Sequence, residues 1–121
     1  MASFSNHPTI LIVDSTPARL RSLHQLLRGA GYRVRAVTSG VMALTTARSA
    51  PPDLVIFQFN LDSITGDEVY EQFSEDTTLK HIPAILLCDT PCHTNVAPAV
   101  LQWPFTPADV LSLVSDQLDD T

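Results

Sequence analysis

Glycine and basic side chains are scarce in this 121-residue chain: four glycines, and seven lysines and arginines against thirteen acidic residues. The net charge of −6 repels phosphate backbones, which argues against nucleic-acid binding by this domain. No apolar run approaches the roughly 20 residues of a membrane span. The opening Met1-Ala2-Ser3-Phe4-Ser5-Asn6-His7-Pro8 is polar and lacks the apolar core of a signal peptide, so a cytoplasmic location is expected. There are two cysteines, Cys88 and Cys92, and nothing else supports a secreted disulfide framework. Both are expected as reduced thiols. With Asp89 and His93 they form a loose cluster that falls short of the well-spaced ligand pairs of a tetrahedral zinc site. No Ser-His-Asp arrangement, P-loop or Gly-rich dinucleotide turn occurs, and no general base stands beside a nucleophile. An enzyme is not expected.

What is present is a good core: 45% hydrophobic and 17% charged residues, enough for one domain over 1–121 with its core at 9–118. Ile10-Leu11-Ile12-Val13 is a wholly apolar, β-branched run that reads as a buried strand ending at Asp14. Ser15 and Thr16 offer capping oxygens, Pro17 suits the first helical position, and Leu20, Leu23, Leu26 and Leu27 follow at helical spacing. Gly29 and Gly31 end that helix, and Arg19, Arg21 and Arg28 are expected on its solvated face. Residues 32–37 read as an outer strand, and Ser39 caps a second helix. Residues 53–59 form the next strand, where an apolar run meets the amide of Gln58. Gly66 opens a third helix. Residues 82–87 make a fourth strand with Pro83 near its start, where no ladder donor is needed. Ala99-Val100-Leu101 is a fifth, and Thr106, Pro107 and Asp109 open a last helix in capping-box fashion.

Strands alternating with helices argue for right-handed crossovers and a parallel sheet. The fold class is therefore α/β, a doubly wound five-stranded parallel sheet in the flavodoxin-like order 2-1-3-4-5. Ligands in such sheets bind at the carboxyl ends of the strands, by the switch point between strands one and three. Asp14, Gln58, Cys88 and Trp103 are expected to converge there.

Taken together, Ile10-Leu11-Ile12-Val13-Asp14, Pro52-Asp53-Leu54-Val55-Ile56, Gly66-x-Glu68-Val69, Ile82-Pro83 and Pro104-Phe105 resemble the landmarks of response-regulator receiver domains. The resemblance runs from about Thr9 to Leu118. It implies an aspartate that takes a phosphoryl group from a histidine kinase. An acidic pair would hold magnesium, and a hydroxyl residue and a lysine would contact the phosphoryl oxygens. Carried across, it makes Gln58 the phosphoacceptor-equivalent position. Of the acidic pair Asp14 remains, followed by Ser15. The hydroxyl position is Cys88, followed by Asp89, and the lysine position is Trp103. Val100 stands at the aromatic switch position, and Asn60 keeps a backbone carbonyl. One carboxylate in place of three removes most of the attraction for magnesium, so no cofactor is expected.

Residues 89–98 contain two prolines and leave little room for a helix before the fifth strand. The fourth helix of the resembled fold is expected to be missing or much reduced. The resulting expectation is a degenerate, phosphorylation-independent receiver, a protein-interaction module in signalling. It would bind a protein partner, or form a homodimer through the region of the reduced helix, either free-standing or as part of a longer chain. The alternative is a small-ligand or redox sensor using the vacated pocket or Cys88 and Cys92.

Overall fold

The computed structural model describes residues 7–61, 64–88, 99–102 and 104–119. Five strands, β1 (Thr9–Val13), β2 (Arg33–Val37), β3 (Leu54–Gln58), β4 (Ala84–Cys88) and β5 (Ala99–Gln102), form one sheet in the order β2-β1-β3-β4-β5. All four neighbour pairs are parallel. The described helices are α1 (Pro17–Gly29), α2 (Gly40–Ser49), α3 (Gly66–Glu75) and α4 (Pro107–Asp119). The predicted fold class is the observed one. The expected loss of a helix between β4 and β5 falls on residues 89–98, outside the described residues. Among the described residues no helix is long and apolar enough to cross a membrane.

Period-two alternation divides each central strand between two cores. Ile10, Ile12, Leu54, Ile56 and Ile85 face α1 and α4, while Leu11, Val13, Val55, Phe57 and Leu86 face α2 and α3. That double burial is why β3 reads as an unbroken apolar run. Phe57 meets Phe73 of α3 edge-on at a centroid distance of 5.2 Å.

The elements begin and end for local reasons. The N–H of Tyr32 is spent on the carbonyl of Leu27 at the end of α1, so β2 starts one residue later. Gly31 takes the left-handed conformation there, with φ of 99°. β4 starts at Ala84, not Ile82, because Pro83 has no N–H; its carbonyl still accepts from Val55. Ser39 Oγ accepts from Met42 N at the start of α2. Thr106 and Asp109 exchange the two capping-box bonds, at 3.1 and 2.9 Å.

Candidate functional site

The first polar side chains beyond β1 and at the end of β3 are Asp14 and Gln58, and parallel pairing of the two strands sets them side by side. They are also the buried polar residues of the described chain, 1% and 3% exposed. Gly66 lies against the end of β3 from the α3 side of the sheet. Its N–H donates to the Phe59 carbonyl at 2.8 Å, and a Cβ there would stand 2.6 Å from the carbonyl oxygen of Gln58. The start of α3 thus rests directly on the end of β3.

The Asp14 carboxylate is fully engaged. Arg19 Nε donates to Oδ2 at 2.9 Å and Arg19 Nη2 to Oδ1 at 3.0 Å, a side-on bidentate pair. The backbone N–H of Thr16 also donates to Oδ1, at 2.9 Å. Asp14 therefore closes the turn into α1 through its own side chain, and Thr16 makes no side-chain cap bond. This corrects one expectation in part: the Arg19 side chain is 39% exposed, yet its guanidinium is drawn back to Asp14 at the N-terminus of its own helix.

A signal for that pairing stands in the sequence. Arg19 occupies the first turn of α1, which holds no acidic residue. A cation at a helix N-terminus opposes the peptide dipole. Such a residue calls for another partner, and Asp14 is the nearest carboxylate in the chain.

One cavity of about 460 Å³ opens beside the pair, between α1 and α4. Asp14, Arg19 and Gln58 supply polar groups, and Leu23, Leu26, Leu87, Phe105 and Val110 supply most of the wall. The structure thus brings two of the sequence-predicted residues together with Arg19. Ser15 is half-buried in the turn after Asp14, and Asn60 is exposed beyond β3. Cys88 ends β4 and Val100 lies in β5; neither lines this cavity. Asp89 and Trp103 lie outside the described residues.

Cys88 brings a second correction. It is not a reduced thiol: the sulfur is disulfide-bonded, and no described cysteine is free. The chain's other cysteine, Cys92, lies outside the described residues.

Among the described residues the crevice offers a hard divalent cation one carboxylate, that of Asp14. Magnesium takes carboxylate oxygens in near-octahedral geometry. Here both oxygens of the buried carboxylate already accept nitrogen donors, and the neighbouring side chain at residue 58 is a neutral amide. No group of three metal-ligating side chains occurs among the described residues.

Comparison with known proteins agrees with the architecture. The response regulator receiver domain profile matches residues 10–102. The polar-differentiation response regulator DivK of Brucella ovis is 31% identical over 77 residues, spanning 64% of this chain and 63% of DivK. The chain thus matches less than two thirds of that relative's length. A response-regulator crystal structure from Chloroflexus aurantiacus superposes with a TM-score of 0.88 at 28% identity, covering 94% of this chain and 99% of that one. A CheY-like receiver domain protein from Methanospirillum hungatei gives a TM-score of 0.88 at 24% identity, covering 95% and 96%, a likeness of fold alone.

Proposed function

The chain belongs to the response regulator receiver domain family, and within it we propose that this member works without phosphorylation, as a protein-interaction module of two-component signalling. The observation that carries the reading is the bidentate hold of Arg19 on Asp14. An internal guanidinium supplies the positive charge that the family's chemistry draws from a metal ion. Gln58 supports it from the next strand. A carboxamide does not form an acyl phosphate under ordinary conditions, and its burial at the end of β3 suits a structural amide. On this reading Ser15, Cys88 and Trp103 complete a set of positions from which the phosphoryl-transfer groups have gone, and magnesium takes no part.

What the domain then offers is surface. Receiver domains act through protein partners, and the net charge of −6 favours a protein over a nucleic acid. A cytoplasmic location goes with the same reading. Incubation with acetyl phosphate, or with beryllofluoride, in the presence of magnesium is the direct test. The expected result is no gain in mass and no magnesium-dependent change in Trp103 fluorescence. Covalent labelling of the intact chain would overturn the proposal.

The 460 Å³ cavity favours a second reading, a sensor of small apolar ligands, because its size lies in the usual range for such sites. A ligand screen read by thermal shift, with Leu26→Trp filling the cavity as the control, separates the two. Stabilisation that the control abolishes supports the sensor. Its absence across apolar probes leaves the interaction module.

A further inference from the structure

Charge is sorted along this chain in a way the net value hides. Between Asp14 and Asp53 there is no acidic residue, yet Arg19, Arg21, Arg28, Arg33, Arg35 and Arg48 all fall there. From Asp53 onward the only basic residue is Lys80. The fold does not sort this charge by face, since the acidic α4 shares the face of α1 and Arg48 of α2 that of α3, but it sets the basic α1 and the acidic α3 on opposite sides of the sheet.

Each helix presents a stripe of one sign. On α1, Arg21, Gln25 and Arg28 are exposed and share one side, and the helix carries no acidic residue. On α3, Glu71, Gln72 and Glu75 are exposed and share a side with Glu68, and no basic residue stands in its last turn. Glu68 is already engaged by Thr65, so Glu71 and Glu75 are the outward charges. None of Arg21, Arg28, Glu71 and Glu75 forms a salt bridge among the described residues. Arg21 and Arg28 are separated by two helical turns, about 10 Å along the axis, and Glu71 and Glu75 by one, about 6 Å. Long, flexible side chains span that difference.

We propose that copies of this chain associate head to tail, the arginine stripe of α1 on one copy docking against the glutamate stripe of α3 on the next. Because the two stripes lie on opposite faces of the sheet, a copy cannot pair them with each other. Each contact leaves one stripe open at either end, so the association is heterologous and grows with concentration. This surface is separate from the Asp14 crevice, and the proposal stands whether or not the domain is phosphorylated.

Salt gives the sharpest discrimination. Copies of net charge −6 repel one another, and salt weakens that repulsion. An association driven by anything other than paired charges therefore strengthens with salt, whereas this one weakens.

Sedimentation velocity on the full chain tests it. At low salt the weight-average mass is expected to rise with concentration, and at high salt to fall back to that of the monomer. Reversing one stripe, Arg21→Glu with Arg28→Glu, or the other, Glu71→Lys with Glu75→Lys, should give monomers in each case. The neutral pair Arg21→Gln with Arg28→Gln weakens association without adding negative charge. In an equimolar mixture of the two reversed variants association should return, because the glutamate stripe kept on α3 of one meets the arginine stripe kept on α1 of the other, and the reversed stripes, Glu on α1 and Lys on α3, are complementary in turn, so the two variants alternate. Three results overturn the proposal: a wild-type chain monomeric at low salt, an association that grows with salt, or reversed variants that fail to recombine while folded by circular dichroism.

Discussion

At the scale of single residues the structure turns on Arg19. A carboxylate as buried as Asp14 is costly unless it is paired and hydrogen-bonded, and Arg19 does most of that pairing. Arg19→Ala leaves the carboxylate with one backbone donor, and a loss of about 1–3 kcal/mol is expected, below the value for a fully buried pair because Arg19 is partly exposed. Urea unfolding reads it directly. Adding Asp14→Asn to Arg19→Ala should recover part of the loss, since the stranded charge is then gone. A double variant no more stable than Arg19→Ala would show that the pair contributes little. Asp14 and Gln58 were legible in the sequence because each ends an apolar run. Arg19 was not, because helical periodicity places it among solvated arginines, and only the dipole argument singles it out. The oxidised state of Cys88 was hidden for a different reason: composition speaks to compartment, not to which sulfurs meet.

At the scale of elements, the junction of β3 with α3 is the least forgiving. A methyl group on Gly66 would press on the Gln58 carbonyl and on Leu86 Cδ1, at 2.6 and 2.8 Å. Since the carbonyl belongs to the backbone, Gly66→Ala is expected to cost about 1–3 kcal/mol, as overpacking does in cores. A variant with an unchanged denaturation midpoint would mean that the junction gives way cheaply. The third helix was expected from Gly66 onward, and it begins there; what sequence patterning could not supply is the closeness of the strand end beneath it.

Two carboxylates at helix ends set a pH response. The backbone N–H and the hydroxyl of Thr65 hold Glu68 below the ordinary carboxylate range. Asp76 is held down first by the hydrogen bond from Arg48 and then by the N–H of Thr78. A lowered folded-state value means that the unfolded chain takes up protons first as pH falls. The stabilisation is therefore complete above the unfolded values, about 4, and is lost as pH drops through the lowered folded ones. Glu68 is exposed, and the half-buried Asp76 is paired with an exposed Arg48, so the effect is modest and salt-sensitive. Glu68→Gln and Asp76→Asn should each reduce stability at neutral pH and converge with wild type in acid. A gap that widens in acid would contradict the assignment.

At the scale of the whole molecule, strand order followed from the alternation of elements and the handedness of crossovers. The observed β2-β1-β3-β4-β5 sheet is the expected one. Boundaries moved by a residue or two where a proline or a helix end claimed a backbone group, as at Pro83 and Tyr32. The contrast of charge between α1 and α3 was present in the sequence but invisible to net charge, which sums over helices that the fold places apart. The centre of the sheet should also be the last part to open. β3 has a neighbour on each side and a packed core on each face, so the amides of Ile56 and Phe57 are expected to exchange hydrogen most slowly. Amides of the edge strand β5 protected equally well would argue against that ranking.

The bond between Arg19 and Asp14 has a consequence for memory. A counter-charge tethered five residues away sits at a fixed effective concentration that no dilution or chelator can lower. A crevice filled from solution registers what the surrounding medium supplies and loses it when the supply ends. On the phosphorylation-independent reading, one that carries its own counter-charge has no such supply to follow.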